Sequence, residues 1–204
     1  MKYLTKNKIL PLSLTAGILL LDQITKSIIA NNWPIEPGNS YYYFFDEKIS
    51  QLSMVIADVF GNGFLQIIHV RNKAIAFSIG EDLPEVLKPV IFIVVPLLVL
   101  GFIVWYFLRT DEFSGMQRWA AAGIIGGGLG NISDRIFRPD GVVDFISVKF
   151  YGLFGFDRWP TFNVADSSVV VCCILLIVTM LIPVKKPITS EVSQIPETKE
   201  KSDE

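Results

Sequence analysis

Three groups of polar residues interrupt an otherwise apolar chain, and their types are those of acid–base chemistry. Asn131, Asp134 and Arg135 close the run GIIGGGLGNISDR, Gly123 to Arg135; Asp22 and Lys26 stand four apart within residues 9–30; Asp144 lies in GVVDFISV, and Asp166 in WPTFNVADSS behind Asn163. Two carboxylates held close cannot both ionise easily, so one keeps its proton, and the pair can activate a water and protonate a leaving group. Asp166 follows FNVA at the mouth of a helix, where the N-terminal dipole favours an anion. Asp144, between Val143 and Phe145, has the more apolar setting, which raises a carboxyl pKa. Asp166 therefore reads as the more readily ionised partner, although such titration belongs to the pair. Simpler roles stay open: Asp166 as a helix N-cap, Asp144 as a turn residue closing a hairpin.

Other chemistries find little support. The single His69 has no second His or Cys near it and reads as a strand or loop histidine. The two cysteines, Cys172 and Cys173, are adjacent inside an apolar run, so they make neither a disulfide framework nor a zinc site and read as small helix residues. No serine stands beside a histidine, and neither a metal nor a cofactor is expected. A formal net charge of -2 and the lack of a long Lys/Arg run give no reason to expect nucleic acid.

The elements that must carry these residues are membrane helices. Of 204 residues, 51% are hydrophobic and 19% charged, with a mean hydropathy of +0.46. Four spans are expected, at about 9–30, 88–108, 116–137 and 166–184, each long enough to cross ~30 Å of hydrocarbon. Lys2, Lys6 and Lys8 before the first span resemble the start of a signal peptide. That run is too long for an h-region, contains Asp22 and Lys26 and lacks an A-x-A-like site, so it reads as an uncleaved helix. Pro96 is tolerated as a kink.

Outer loops are expected at 31–87 and 138–165. The first holds YYYFF, Tyr41 to Phe45, suited to the headgroup layer, and a strand at Phe64–Val70 with Asn72 at its end. Residues 185–204 are Ser, Thr, Pro, Glu and Lys without apolar periodicity and read as a disordered cytoplasmic tail after a single domain, 1–184. Lys2, Lys6, Lys8, Arg109, Arg118, Lys185 and Lys186 share one side of a four-span chain, which places both termini in the cytoplasm; Arg138, Lys149 and Arg158 on the other side weaken the contrast. Within the third span Gly123, Gly127, Asn131 and Arg135 fall on one stripe that must face protein. The glycines alone suit a helix-packing seam.

This topology brings Asp22 and Lys26, Asn131, Asp134 and Arg135, and Asp144, Asn163 and Asp166 to one depth near the outer face, and nothing comparable is expected at the inner ends. Asp22 and Lys26 also suit a simple i,i+4 pair. A proton-coupled transporter or channel subunit would use similar acids, but nearer the bilayer midplane and often in repeated halves. A scaffold protein gives two separate loop acids no role, and a Ca²⁺ or Mg²⁺ site built from the acids would show chelator sensitivity. The sequon Asn131-Ile132-Ser133 lies inside a membrane helix and is set aside.

Five motifs in this order resemble the lipoprotein signal peptidase (signal peptidase II) family over residues from about 9 to 184. They are DQITK from Asp22, VRNKAIAF containing Asn72, GGGLGNISDR, GVVDF and FNVADS. The resemblance implies an all-α polytopic membrane protein with four transmembrane helices, a small extracytoplasmic β-cradle and a loop helix, in the bacterial inner membrane. It implies Asp144 and Asp166 as a catalytic dyad, with Asp22, Lys26, Asn72, Asn131, Asp134, Arg135 and Asn163 shaping the site or holding substrate. The implied partners are diacylglyceryl-modified prolipoproteins and membrane lipid, for a monomer that cleaves the signal peptide before the lipidated Cys. One position departs from the family's pattern: Ala74 stands where Gly is usual, two residues after Asn72.

Overall fold

A computed structural model describes residues 5–35, 43–46, 51–73, 83–84, 86–138 and 140–181. Ala74 and the expected disordered tail, 185–204, lie outside the described residues. The helices are α1 (Lys6–Asn32), α2 (Val95–Arg109), α3 (Gly115–Phe137) and α4 (Val164–Leu181). The strands β1 (Tyr43–Asp46), β2 (Gln51–Asp58), β3 (Leu65–Asn72) and β4 (Val142–Val148) form one antiparallel meander in the order β1-β2-β3-β4. The fold is thus mostly helical with a small sheet, and β3 covers the expected strand except Phe64 and reaches Asn72.

Among the described residues, three helices are long and apolar enough to cross a membrane: Lys6–Asn32, Val90–Arg109 and Val164–Leu181. The second begins as a π-helical turn, Val90–Val94, whose widened ladder sends the Val95 N–H to the Val90 carbonyl just before Pro96. A proline has no N–H for the i−4 carbonyl, so the bulge is the local adjustment that admits it. Apolar side chains point outward along these helices: Leu20, Leu21 and Ile24 on α1, Leu98 and Phe102 on α2, and Val170, Val171 and Ile174 on α4 are all exposed. Charges and small residues occupy the inside, the reverse of a water-soluble bundle.

Helix α3 packs against the other three helices, and that position explains its composition. Enclosed by protein, it needs close approach more than apolar surface. A Cβ on Gly126 would come 3.0 Å from the Thr15 carbonyl oxygen, and one on Gly130 2.6 Å from Asp22 Oδ2, so this stripe lies against α1. Gly123 and Gly127 form a second stripe, facing Cys172 and Ser168, and Ala165 and Val169, of α4. The expected single seam is therefore two seams, with Cys172 a small packing residue over Gly123. Ser114 starts α3 with a reciprocal capping box to Gln117.

The sheet sits across the C-terminal ends of α1 and α3. Ile29 of α1 packs with Val143 and Phe145 of β4, supported by Ile56, Ile67 and Val164. Buried His69 of β3 is joined at Nδ1 to the Trp33 carbonyl, 2.7 Å away, where α1 ends. A carbonyl only accepts, so the proton resides on Nδ1, and burial lowers the imidazole pKa and keeps the ring neutral. The passage from α3 into β4 turns on Gly141, whose φ of +103° disfavours any side chain and whose Cβ would meet the Asn72 backbone. Asn72 and Asp144 are thereby carried into the same corner.

Candidate active site

Four elements converge below the sheet, each ending in a polar side chain. The innermost layer is ionic and closed. Lys26, fully buried, reaches Asp22 Oδ2 at 2.8 Å and Asp134 Oδ2 at 3.2 Å, and donates to Asn131 Oδ1 at 3.0 Å. Arg138 pairs with Asp134 Oδ1 at 3.1 Å. Gln23 Nε2 donates to Asp134 Oδ1, Asp22 Oδ2 and the Gly130 carbonyl at 3.0, 3.2 and 3.1 Å. Two cations face two anions, so Asp22, Asp134, Lys26 and Arg138 balance among themselves. The acids here are not free for chemistry. Each instead receives a main-chain N–H: Asp134 Oδ2 that of Val143 at 3.1 Å, and Asp22 Oδ1 that of Ala165 at 2.9 Å. This layer fixes β4 and the start of α4 against α1 and α3.

Asn163 lies above it and is the hinge of the arrangement. Phe162 exchanges backbone hydrogen bonds with Ile146 and accepts a further one from the Phe145 N–H, which lays the residue before Asn163 along β4. The Asn163 side chain caps α4: its Oδ1 accepts the Asp166 N–H at 2.9 Å while Asp166 Oδ2 accepts the Asn163 N–H at 3.2 Å. With Oδ1 fixed as the acceptor, Nδ2 is free to donate to Asp144 Oδ1 at 2.7 Å and Asn131 Oδ1 at 3.1 Å. One asparagine thus contacts both aspartates. Their remaining oxygens are also held: Asp144 Oδ2 accepts from Asn72 Nδ2 at 2.9 Å, and Asp166 Oδ1 from Asn131 Nδ2 at 2.6 Å.

The two aspartates differ in environment. Asp144 is 3% exposed, and burial, followed by the negative charge of Asp166, lifts its pKa to about 7 against the donors that favour its anion. Asp166 is only half-buried, in the first turn of α4. Arg135 extends from α3 with its guanidinium carbon 4.9 Å from the centroid of the Phe92 ring. A layer with a neutralised base, two linked carboxylates and a guanidinium alongside suits hydrolysis by a water activated between the carboxylates.

Comparison with known proteins identifies the frame. A family profile for signal peptidase (SPase) II matches residues 14–182. The chain belongs to the signal peptidase II family. Relatives named lipoprotein signal peptidase include one of Treponema pallidum (strain Nichols), 41% identical over 188 residues, 92% of this chain and 91% of the relative. Another, of Borreliella burgdorferi (strain ZS7), is 40% identical over 162 residues, 79% of this chain and 84% of the relative. A solved structure described as a bacterial membrane enzyme superposes with a TM-score of 0.63 at 27% identity, covering 88% of this chain and 90% of its own. Signal peptidase II enzymes are aspartic peptidases, and membership in the family sets aside the transporter and scaffold readings.

All nine residues expected from the sequence reach this corner of the signal peptidase II fold, with three revisions. Asp166 is not the first residue of its helix, which begins at Val164. The cap is Asn163, and Asp166 completes a capping box from the third helical position. Asp144 lies within β4, paired with Val70 of β3, and not at a hairpin turn. Charges also gather at the opposite end of the bundle, where Lys8 pairs with Asp111 at 2.9 Å and Arg118 lies 3.8 Å from the same oxygen; the expected one-sidedness does not hold. Gln23 is not singled out in the sequence, and Arg138 counts there only as an outer-loop charge. The only cue to Gln23 was its place beside Asp22, and Arg138 stands four residues after Asp134, the spacing of a helical ion pair.

Proposed function

We propose that this chain removes the signal peptide from diacylglyceryl-modified prolipoproteins, cleaving before the lipidated Cys, with Asp144 and Asp166 as the catalytic dyad. The observation that carries this reading is the contact of Asn163 with both carboxylates, through Nδ2 to Asp144 and through its main-chain N–H to Asp166. Below pH about 7 Asp144 holds the proton. Asp166 takes a proton from water as it attacks the scissile carbonyl while Asp144 gives its proton to the developing oxyanion; Asp166 then passes the proton it took to the departing amine, and Asp144 recovers its own as the diol collapses to the carboxylic acid. Arg135 holds a substrate carbonyl beside the dyad. Asp22, Lys26, Asp134 and Asn131 keep the frame, and Asn72 orients Asp144.

Helix α3 is the fourth span in this reading. Both termini lie in the cytoplasm, in accord with the Lys and Arg flanks, and the aspartates lie near the outer face, where the substrate's acyl chains stay in the bilayer. The enzyme acts as a monomeric single domain. The experiment mixes detergent-purified protein with a diacylglyceryl-modified prolipoprotein and follows the mass shift of cleavage. Asp144→Asn and Asp166→Asn should each lower the rate by about 10²-fold or more, the scale of a general acid or base. Cleavage surviving either change would remove the dyad assignment.

A further inference from the structure

The end of the bundle away from the aspartates carries a second polar constellation that peptide hydrolysis does not use. Lys8 lies fourteen residues before Asp22, about 21 Å along α1 at 1.5 Å per residue. It is 2% exposed, and its ammonium donates to the Leu108 carbonyl at 2.8 Å and pairs with Asp111 Oδ1 at 2.9 Å, which leaves one of three donors. Arg118, in the first turns of α3, is 7% exposed. Its Nη1 is buried without a hydrogen-bond partner among the described residues, and its Nη2 is 3.8 Å from Asp111 Oδ1, beyond hydrogen-bond length. A guanidinium withdrawn from water with unmet donors is costly unless an anion completes it.

Asp111 shows where such an anion would place an oxygen. Its side chain is 85% exposed, so it approaches from outside the bundle, and one oxygen lies toward both cations. The pairing with Lys8 holds its carboxyl below the usual range. Asp111 lines a cavity of about 320 Å³ together with Arg118, Leu10, Pro11, Phe113 and Trp119, and Lys8 meets that cavity at the Asp111 carboxylate it pairs with. At about 30 Å³ per water, that is room for roughly ten heavy atoms, the size of a glycerophosphate. Part of its wall is apolar and open: Leu10 is more than half exposed, and Trp119 is exposed as well. Trp at such a level suits the headgroup layer.

We propose that this cavity binds the phosphate of an anionic phospholipid where the Asp111 carboxylate lies, between Lys8 and Arg118, with the acyl chains over Leu10 and Trp119. The phosphate displaces Asp111 outward, fills the spare donors of both cations, and so ties the start of α1 to the start of α3. The inference shares with the proposed function only the reading of the helices as a membrane bundle, not the catalytic assignment. A buried cation pair with an apolar rim suits a lipid better than free phosphate, because only the lipid uses the rim.

The test is native mass spectrometry of the delipidated full-length protein titrated with phosphatidylglycerol or phosphatidylcholine. Phosphatidylglycerol should bind about tenfold more tightly, and Lys8→Gln and Arg118→Gln should each weaken it about fivefold, the scale of one cation at an anionic surface. Asp111→Asn keeps both cations and removes the competing carboxylate, so it should tighten binding; this variant also decides the matter if Arg118→Gln fails to fold. Equal retention of the two lipids, or weaker binding in Asp111→Asn, would overturn the proposal. Displacement of the lipid by equimolar glycerol phosphate would overturn the lipid source. The readout is lipid retention, so neither result depends on cleavage.

Discussion

Asn72→Ala should move the alkaline limb of the cleavage profile upward. Asn72 Nδ2 donates to Asp144 Oδ2 at 2.9 Å, and a hydrogen bond favours the anionic form of a carboxyl that accepts it. Burial already lifts this carboxyl to about 7, so removing the donor raises it further. A hydrogen bond to a charged group contributes ~1.5 to 3 kcal/mol, and one pKa unit corresponds to ~1.36 kcal/mol. The shift is therefore about one to two units. The Asn163 bond to the other oxygen, at 2.7 Å, survives, so the aspartates remain linked. If Asp144 must be protonated for turnover, activity in the wild type falls as pH rises through about 7, and in the variant it persists to pH ~8 to 9. Single-turnover rates across this range, on saturating lipidated prolipoprotein in mixed micelles, measure the limb directly. A merely structural role for Asn72 would lower the rate by the same factor at every pH. A limb that stayed put, or moved to lower pH, would refute the placing of the catalytic proton on Asp144.

The same proton has a thermodynamic consequence. Because the folded-state pKa of Asp144 is raised, the folded protein holds a proton that the unfolded chain loses above pH ~4. Stability should then fall by up to ~1.4 kcal/mol per pH unit as pH rises toward 7, and thermal unfolding of wild type against Asp144→Asn isolates that slope. Gly130→Ala puts a Cβ 2.6 Å from Asp22 Oδ2 and 3.1 Å from Ala165 Cβ. Overpacking of this kind costs ~1 to 3 kcal/mol, so Tm should drop and cleavage should weaken as α4 is pushed from α1; an unchanged Tm would contradict the close seam. Lys26→Met leaves Asp22 and Asp134 buried with one cation fewer, a loss of ~3 to 5 kcal/mol, to be read as lowered Tm or failure to accumulate in the membrane.

Local spacing was readable from the chain alone. Asp22 and Lys26 are four apart on a helix, and their 2.8 Å pair follows from that period. The glycines of α3 announce a close helix contact, and the alternation of apolar spans with polar loops is enough to bring Asp144, Asn163 and Asp166 to one end of the bundle.

What a helical period cannot convey is which side chain meets which across tens of residues. Asn163 reaches Asp144 over 19 residues, and Gln23 reaches Asp134 over 111. The two glycine stripes became distinct only when α1 and α4 were seen on different sides of α3. The helix cap passed from Asp166 to Asn163 because the bridge between Phe162 and Ile146 fixes where α4 begins. The unmet donors of Arg118 likewise emerged only from the packing of α3 against the start of α1. Sequence determined the kinds of groups and their depth along each helix, since both follow from rise and period. Tertiary structure decided their pairing, since that depends on interhelical distances and on how a strand and a helix end are held against each other.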